Sequence, residues 1–242
     1  MEFKIIDTKK RRAQENMQID AEILAALDRE EVPVLHLYEW VKPSITYGYF
    51  TRPEDFLDLN EVKSHGIDLA KRVTGGGLTL HFSDFAFSFF IPKGHPGFTL
   101  NTLESYSRVN ELVKRAVHPF IENSNPDFLL KEKETHQKVT RNFCMAKPTR
   151  YDVMIGDKKI GGAAQRRTSK GILHHGTIAI ALPDRALLNR ILKDQEVIIS
   201  AIYENSFYFV KNHLEHQKLE SYRQLIKKEL LEVLQKQTFE AS

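Results

Sequence analysis

The chain has 242 residues, 41% hydrophobic and 28% charged, with a net charge of +3. That is enough apolar material for one sizeable core, and one large domain spanning 1–242 is expected. A charge this small does not by itself argue for nucleic acid, which needs many basic groups gathered on one surface. Cys144 is the only cysteine, so an internal disulfide and a zinc site built from several thiolates are excluded. The longest apolar runs, such as residues 85–91, fall short of the roughly 20 residues that cross a bilayer. Residues 1–16 lack the features of a secretory signal, and a cytoplasmic location is expected.

Residues 12–29 carry Met17, Ile19, Ile23, Leu24 and Leu27 on one stripe, which predicts an amphipathic helix. Residues 32–40 and 44–50 read as two strands around a turn at Lys42–Pro43. A helix over 55–65 should close at Gly66. After three glycines, residues 78–91 read as a central, mostly buried strand with Phe85, Phe87, Phe89 and Ile91 on one face. Apolar steps of three and four from Leu103 to Val117 predict a long helix ended by Pro119. Residues 122–141 are polar and read as a long loop. Strands are predicted at 151–156, 159–167 and 173–182, followed by a short helix at 186–193 and a terminal amphipathic helix over 219–234. The class is α/β (α+β), a mixed sheet flanked by helices.

Basic residues concentrate between Lys131 and Lys170, eleven against four acidic ones, so this stretch should attract anions unless it is simply a solvated face. Within and around it lie three candidate segments. In residues 71–81, Gly75, Gly76 and Gly77 forfeit side-chain packing beside a strand, which suits close approach of a ligand to the main chain and suits a plain turn equally. Arg72 would add a permanently charged partner. In residues 151–167, Lys159 precedes Gly161, Gly162, Ala163 and Ala164, whose small side chains leave room beside the strand. Asp152 would hold a metal or an amine there, or cap a turn. His174 and His175 are adjacent on a strand and so point to opposite faces, which sets zinc aside and leaves no metal site expected.

These segments together resemble the biotin/lipoate protein ligase superfamily, in particular its lipoate-protein ligases and octanoyltransferases. KRVTGGGLTLH at 71–81 is similar to the family's basic, Ser/Thr and glycine-rich loop ending in His. DKKIGGAAQRR at 157–167 is similar to its lysine block, and LHHGTIAI at 173–180 to its His-Gly-Thr strand. ENMQIDAEIL at 15–24 and YEWVKPSITYGYF at 38–50 extend the match to roughly residues 12–190, leaving a C-terminal helical extension at 215–236. The resemblance implies a class II synthetase-like fold and the joining of a lipoyl or octanoyl group through an amide to a lysine of a lipoyl carrier domain. The carriers it implies belong to 2-oxoacid dehydrogenase complexes or are glycine cleavage H-like proteins. It implies that Lys159 contacts the acyl carbonyl or an acyl-adenylate phosphate. Arg72, Thr74, Gly75, Gly76, Gly77, His81, Asp152, Gly161, Ala163, His175 and Gly176 would bind acyl group and nucleotide. Phe85 and Phe87 would border a tunnel for the acyl chain.

Two routes to that amide are compatible with the sequence. A ligase would use lipoate or octanoate with ATP and Mg to make an acyl-adenylate. A transferase would take octanoyl from acyl-carrier protein onto Cys144, whose neighbours Arg141, Lys147 and Arg150 would favour a thiolate. The glycine triplet and His174-His175-Gly176-Thr177 resemble the ligases more, so the ligase is the leading expectation. Roughly fifty residues follow position 190, fewer than the accessory domain of larger ligases needs, so a separate accessory chain is a possible partner. A non-catalytic carrier-binding module and a biotin ligase fit the retained lysine, arginine and glycines less well.

Overall fold

A computed structural model describes residues 2–121, 125–131, 142–212 and 214–236. The predicted 122–141 loop therefore lies largely outside the described residues, including Lys133, Lys138 and Arg141. Two sheets form the frame. The larger has seven strands in the order β1-β2-β6-β10-β9-β8-β7. These are β1 (Lys4–Arg11), β2 (Val34–Trp40), β6 (Asp84–Pro92), β7 (Pro126–Phe128), β8 (Val153–Ile155), β9 (Lys158–Arg167) and β10 (Gly171–Ala179). The smaller sheet orders β4 (Asp68–Lys71), β3 (Ser44–Tyr47) and β5 (Leu78–His81) as β4-β3-β5.

Strand alternation assigns the faces. Leu35, Leu37, Phe85, Phe87, Phe89 and Ile91 point to one side of the large sheet, against α3 (Thr102–Val117) and α6 (His216–Gln235). Their burial is the main hydrophobic contribution to the fold. The smaller sheet has its own core: Ile45 and Leu78 pack with Val62 of α2 (Leu59–Ser64), Leu188 of α4 (Arg185–Ile191) and Ile198 and Ile202 of α5 (Gln195–Asn205). Helix α1 (Ala13–Ala25) joins the two, with Ala13 and Met17 against Tyr38, Trp40, Ala70 and Ala86. Between the sheets lie the remaining, mostly polar inward faces.

Several sequence expectations change here. The strands on either side of Lys42–Pro43 are no hairpin, because β2 belongs to the large sheet and β3 to the small one. Residues 78–91 form two strands, since the chain turns at Phe82–Ser83 to pass from the small sheet into the large one. Strand β1 has no counterpart among the predicted elements: its Lys- and Arg-rich sequence looks solvated because it is an edge strand beside β2. Helix α5 is likewise absent from the predicted elements. Phe85 and Phe87 face α3 and α6 rather than the space between the sheets, so they border no acyl tunnel.

Candidate active site

The glycine triplet connects β4 to β5 and is pinned by its carbonyls. Arg72, 5% exposed, donates from Nη1 to Thr46 Oγ1 at 2.8 Å and Thr79 Oγ1 at 2.9 Å, and from Nη2 to the Gly75 and Gly77 carbonyls at 3.2 and 2.9 Å. Gly76 sits at φ +87°, a left-handed conformation that favours glycine. At Gly77 a Cβ would strike the Asn142 main chain, so this glycine lets the segment before Cys144 pass close by. At Gly75 the same atom would meet nothing within 4 Å. Burial pulls the Arg72 guanidinium down from its ordinary value, which still leaves it charged at neutral pH.

Two Asp–His–Thr chains reach this space. On the large sheet, Asp20 Oδ2 accepts from His175 Nε2 at 2.9 Å, while Thr74 Oγ1 donates to His175 Nδ1 at 2.9 Å. The partners assign the tautomer. Asp20 also accepts from His36 and Ser88. Burial pushes its carboxyl up, and the two histidine bonds outweigh that and hold it below its usual value. In the second chain, His81 Nδ1 donates to Asp84 Oδ2 at 2.6 Å and Thr177 Oγ1 to the same oxygen at 2.5 Å, while Thr46 bonds His81 Nε2. Both histidines are therefore oriented by carboxylates, as catalytic and binding histidines commonly are.

Lys159 lies at the start of β9 and is 2% exposed. Its Nζ is 2.7 Å from Asp152 Oδ2 and 2.8 Å from the Cys144 carbonyl, with Cys144 Sγ at 3.9 Å. Burial pulls this ammonium down, and the facing Asp152 and Cys144 outweigh it, leaving it raised and charged. Burial pushes the Asp152 carboxyl up against the attraction of Lys159. Gly162 makes the pairing possible, since a Cβ there would come within 2.7 Å of Lys159 Cε and 3.0 Å of Cys144 Sγ. Asp152 Oδ2 also accepts from Thr149 N and Oγ1.

Cys144 hangs on a loop whose main chain is tied to β5 by Cys144 N donating to the Leu78 carbonyl. Its side chain borders two adjoining hollows. One is lined by Met17, Arg72, His81, Ala163, His175 and Gly176, the other by Leu80, Asp84, Phe143, Met145, Ile202 and Tyr208, with Thr79 and Thr177 common to both. Gly161 is turned away, and its missing side chain admits Val113 of α3; at Gly176 a Cβ would run into the Phe87 ring, although its main chain borders the first hollow.

The basic stretch disperses. Lys159 is consumed by Asp152, Lys170 pairs with Asp28 at 3.1 Å, and Arg166 bonds the Val73 carbonyl beside Tyr49. Among the described residues Lys159 is a cation at the sulfur, and Arg72 lines the same hollow as Cys144; Arg141, one of the neighbours expected there, lies outside the described residues.

His174 faces the opposite side of β10, stacked on Phe87 and accepting from Gln165 at Nδ1. Burial and His175 depress it from 6.5 to about 3. The unfolded chain therefore binds more protons between those values. Stability from this group is complete above about pH 6.5 and falls as pH drops toward 3, with a slope approaching about 1.4 kcal/mol per pH unit. Urea unfolding at pH 7 and pH 5 should show the loss, and His174→Gln should flatten it.

A half-buried cysteine beside an ammonium, with carboxylate-oriented histidines around two adjoining hollows, is an arrangement suited to acyl-group transfer. The chain belongs to the lipoyl protein ligase A/B catalytic domain family, whose model matches residues 12–231. It is an enzyme of lipoyl or octanoyl group transfer. An octanoyltransferase LipM of Kyrpidia tusciae is 30% identical over 189 residues, covering 76% of this chain and 68% of that protein. LipM of Exiguobacterium sibiricum is 27% identical over 201 residues, covering 81% of this chain and 72% of that one. The fold is that of a lipoate-protein ligase A bound with ATP, at TM-score 0.66 and 22% identity, covering 97% of this chain and 86% of that one. A bipartite lipoate protein ligase from Thermoplasma acidophilum gives 0.65 and 22%, with 97% and 84% covered. Among the described residues no helix is long and apolar enough to cross a membrane.

Proposed function

We propose that this chain is an octanoyltransferase that passes octanoyl from acyl-carrier protein through a Cys144 thioester to the lysine of a lipoyl carrier domain, without ATP. This reverses the order expected from the sequence, where the ligase led. The observation that carries it is Cys144 Sγ lying 3.9 Å from the buried Lys159 ammonium, where two hollows meet. A cation at that range stabilises the oxyanion that develops on the acyl carbon. The LipM relatives support the same route.

In the first half-reaction the Cys144 sulfur attacks the donor thioester carbonyl. The carbon–sulfur bond to the donor breaks, and the Cys144 proton leaves with the donor thiol. Arg72 and His175 line the first hollow, where the small side chains of Ala163 and Ala164, with Gly162 and Met17, would border the acyl chain. In the second half-reaction the carrier lysine nitrogen attacks the Cys144 thioester, the thiol is released and an amide forms. Lipoyl domains and glycine cleavage H-like proteins are the carrier class this chemistry serves.

A ligase reading keeps one support, the fold likeness to a lipoate-protein ligase bound with ATP. One experiment separates the two. The purified chain, given octanoyl-acyl-carrier protein and no nucleotide, is expected to gain one octanoyl mass that neutral hydroxylamine removes. Modification of carrier domain only when lipoate or octanoate is supplied with Mg-ATP would overturn the thiol route.

A further inference from the structure

The second hollow, which adjoins the proposed acyl site at the sulfur, has an unusual lining. Leu78, Leu80, Phe143, Met145 and Ile202 make it apolar, yet Asp84 stands in its wall, 6% exposed. Asp84 Oδ2 is engaged by His81 and Thr177, whereas its Oδ1 is buried with no hydrogen-bond partner among the described residues. Burial pushes this carboxyl up, and His81, Thr177 and Arg223 outweigh it, so it is held below its ordinary value and is ionised. A buried carboxylate oxygen left unpaired is destabilising, and the strain is relieved by a donor arriving from outside. An apolar passage with an anionic acceptor matches an ammonium on a methylene stem, which buries its stem and pairs its head. The neutral amide arm of an acyl donor could donate a hydrogen bond there but brings no charge to match the carboxylate.

We infer that this hollow is the entry for the carrier's lysine and that Asp84 receives its ammonium beside the Cys144 thioester. The inference rests on the thiol route above. Asp84 pairs with and orients the ammonium, one of whose protons passes to water, and the free amine attacks the thioester carbonyl. As the carbon–sulfur bond breaks, the second proton passes from nitrogen to the departing Cys144 sulfur, and Asp84 stays ionised throughout.

The test resolves the half-reactions by mass. For Asp84→Asn, octanoylation of Cys144 and transfer to carrier lysine are measured on the same protein, and the ratio of transfer to octanoylation should fall at least about tenfold below that of the parent, so the acyl-enzyme accumulates. Equal slowing of both halves, or no slowing of transfer, would overturn the inference. A second measurement needs no variant. Octanoylated parent enzyme is treated with butylamine, cationic at neutral pH, and with methoxyamine, neutral there. The ratio of their rates should exceed by at least about tenfold the ratio seen with a free octanoyl thioester. An unchanged ratio counts against the carboxylate whatever becomes of the variant. Absence of any thioester on the parent enzyme is a different failure, that of the thiol route itself, and removes the inference with it.

Discussion

Cys144→Ala is expected to lower ATP-independent octanoyl transfer by more than about 1,000-fold while leaving the thermal midpoint within a few degrees of the parent, because the residue is only partly buried and its main-chain bond to Leu78 survives. A nucleophile removed from a two-step displacement takes both steps with it. Gel-shift or mass analysis of the carrier domain measures the loss. Cys144→Ser sharpens the result, since a hydroxyl beside the same ammonium remains a poor nucleophile at neutral pH. Undiminished transfer by either variant would make the sulfur a packing atom.

Lys159→Ala should be worse, because it strikes folding as well as turnover. The substitution strands Asp152, 3% exposed, without the ammonium 2.7 Å away. Breaking such a buried pair from one side costs about 3–5 kcal/mol. Stability alone would then explain a dead enzyme, so the informative protein is the double variant Lys159→Met with Asp152→Leu. It replaces the ion pair with apolar side chains of similar bulk and should recover most of the lost stability in urea unfolding. Transfer should stay down by at least about 100-fold, since the ammonium 3.9 Å from the sulfur is gone. Recovery of activity along with stability would reduce Lys159 to scaffolding.

Both results depend on a proximity that no local pattern announces. The glycine triplet, the lysine followed by small residues and the opposed histidines are legible because each breaks the ordinary pattern of a strand, where bulk and alternation are expected. Cys144 and Lys159 stand fifteen positions apart across a turn and two strands, and their approach depends on Gly162 lacking a side chain. Asp20 lies 155 residues from His175, so that bond is invisible to spacing. Phe85 and Phe87 do share one face as their spacing predicts, but alternation says only that they share a side, and which layer covers it is a tertiary fact. Strand β1 is hidden by its charges. Helix α5 is amphipathic, with Glu196, Ser200 and Glu204 on its exposed side and Ile198, Ile199 and Ile202 buried, so its period is legible although no predicted element covers it.

The segment that follows α5 ties itself to both halves of the cysteine–lysine pair. Ser206 Oγ donates to the Met145 carbonyl at 2.7 Å, Asn205 Nδ2 to the Ala146 carbonyl at 2.9 Å, and Phe207 N to the Lys159 carbonyl at 2.7 Å. Three consecutive residues thus work as a gauge block, setting the gap between loop and strand from behind. A protein shortened after α4 would keep every motif that the sequence displays and lose the spacer that holds its thiol and amine at working distance.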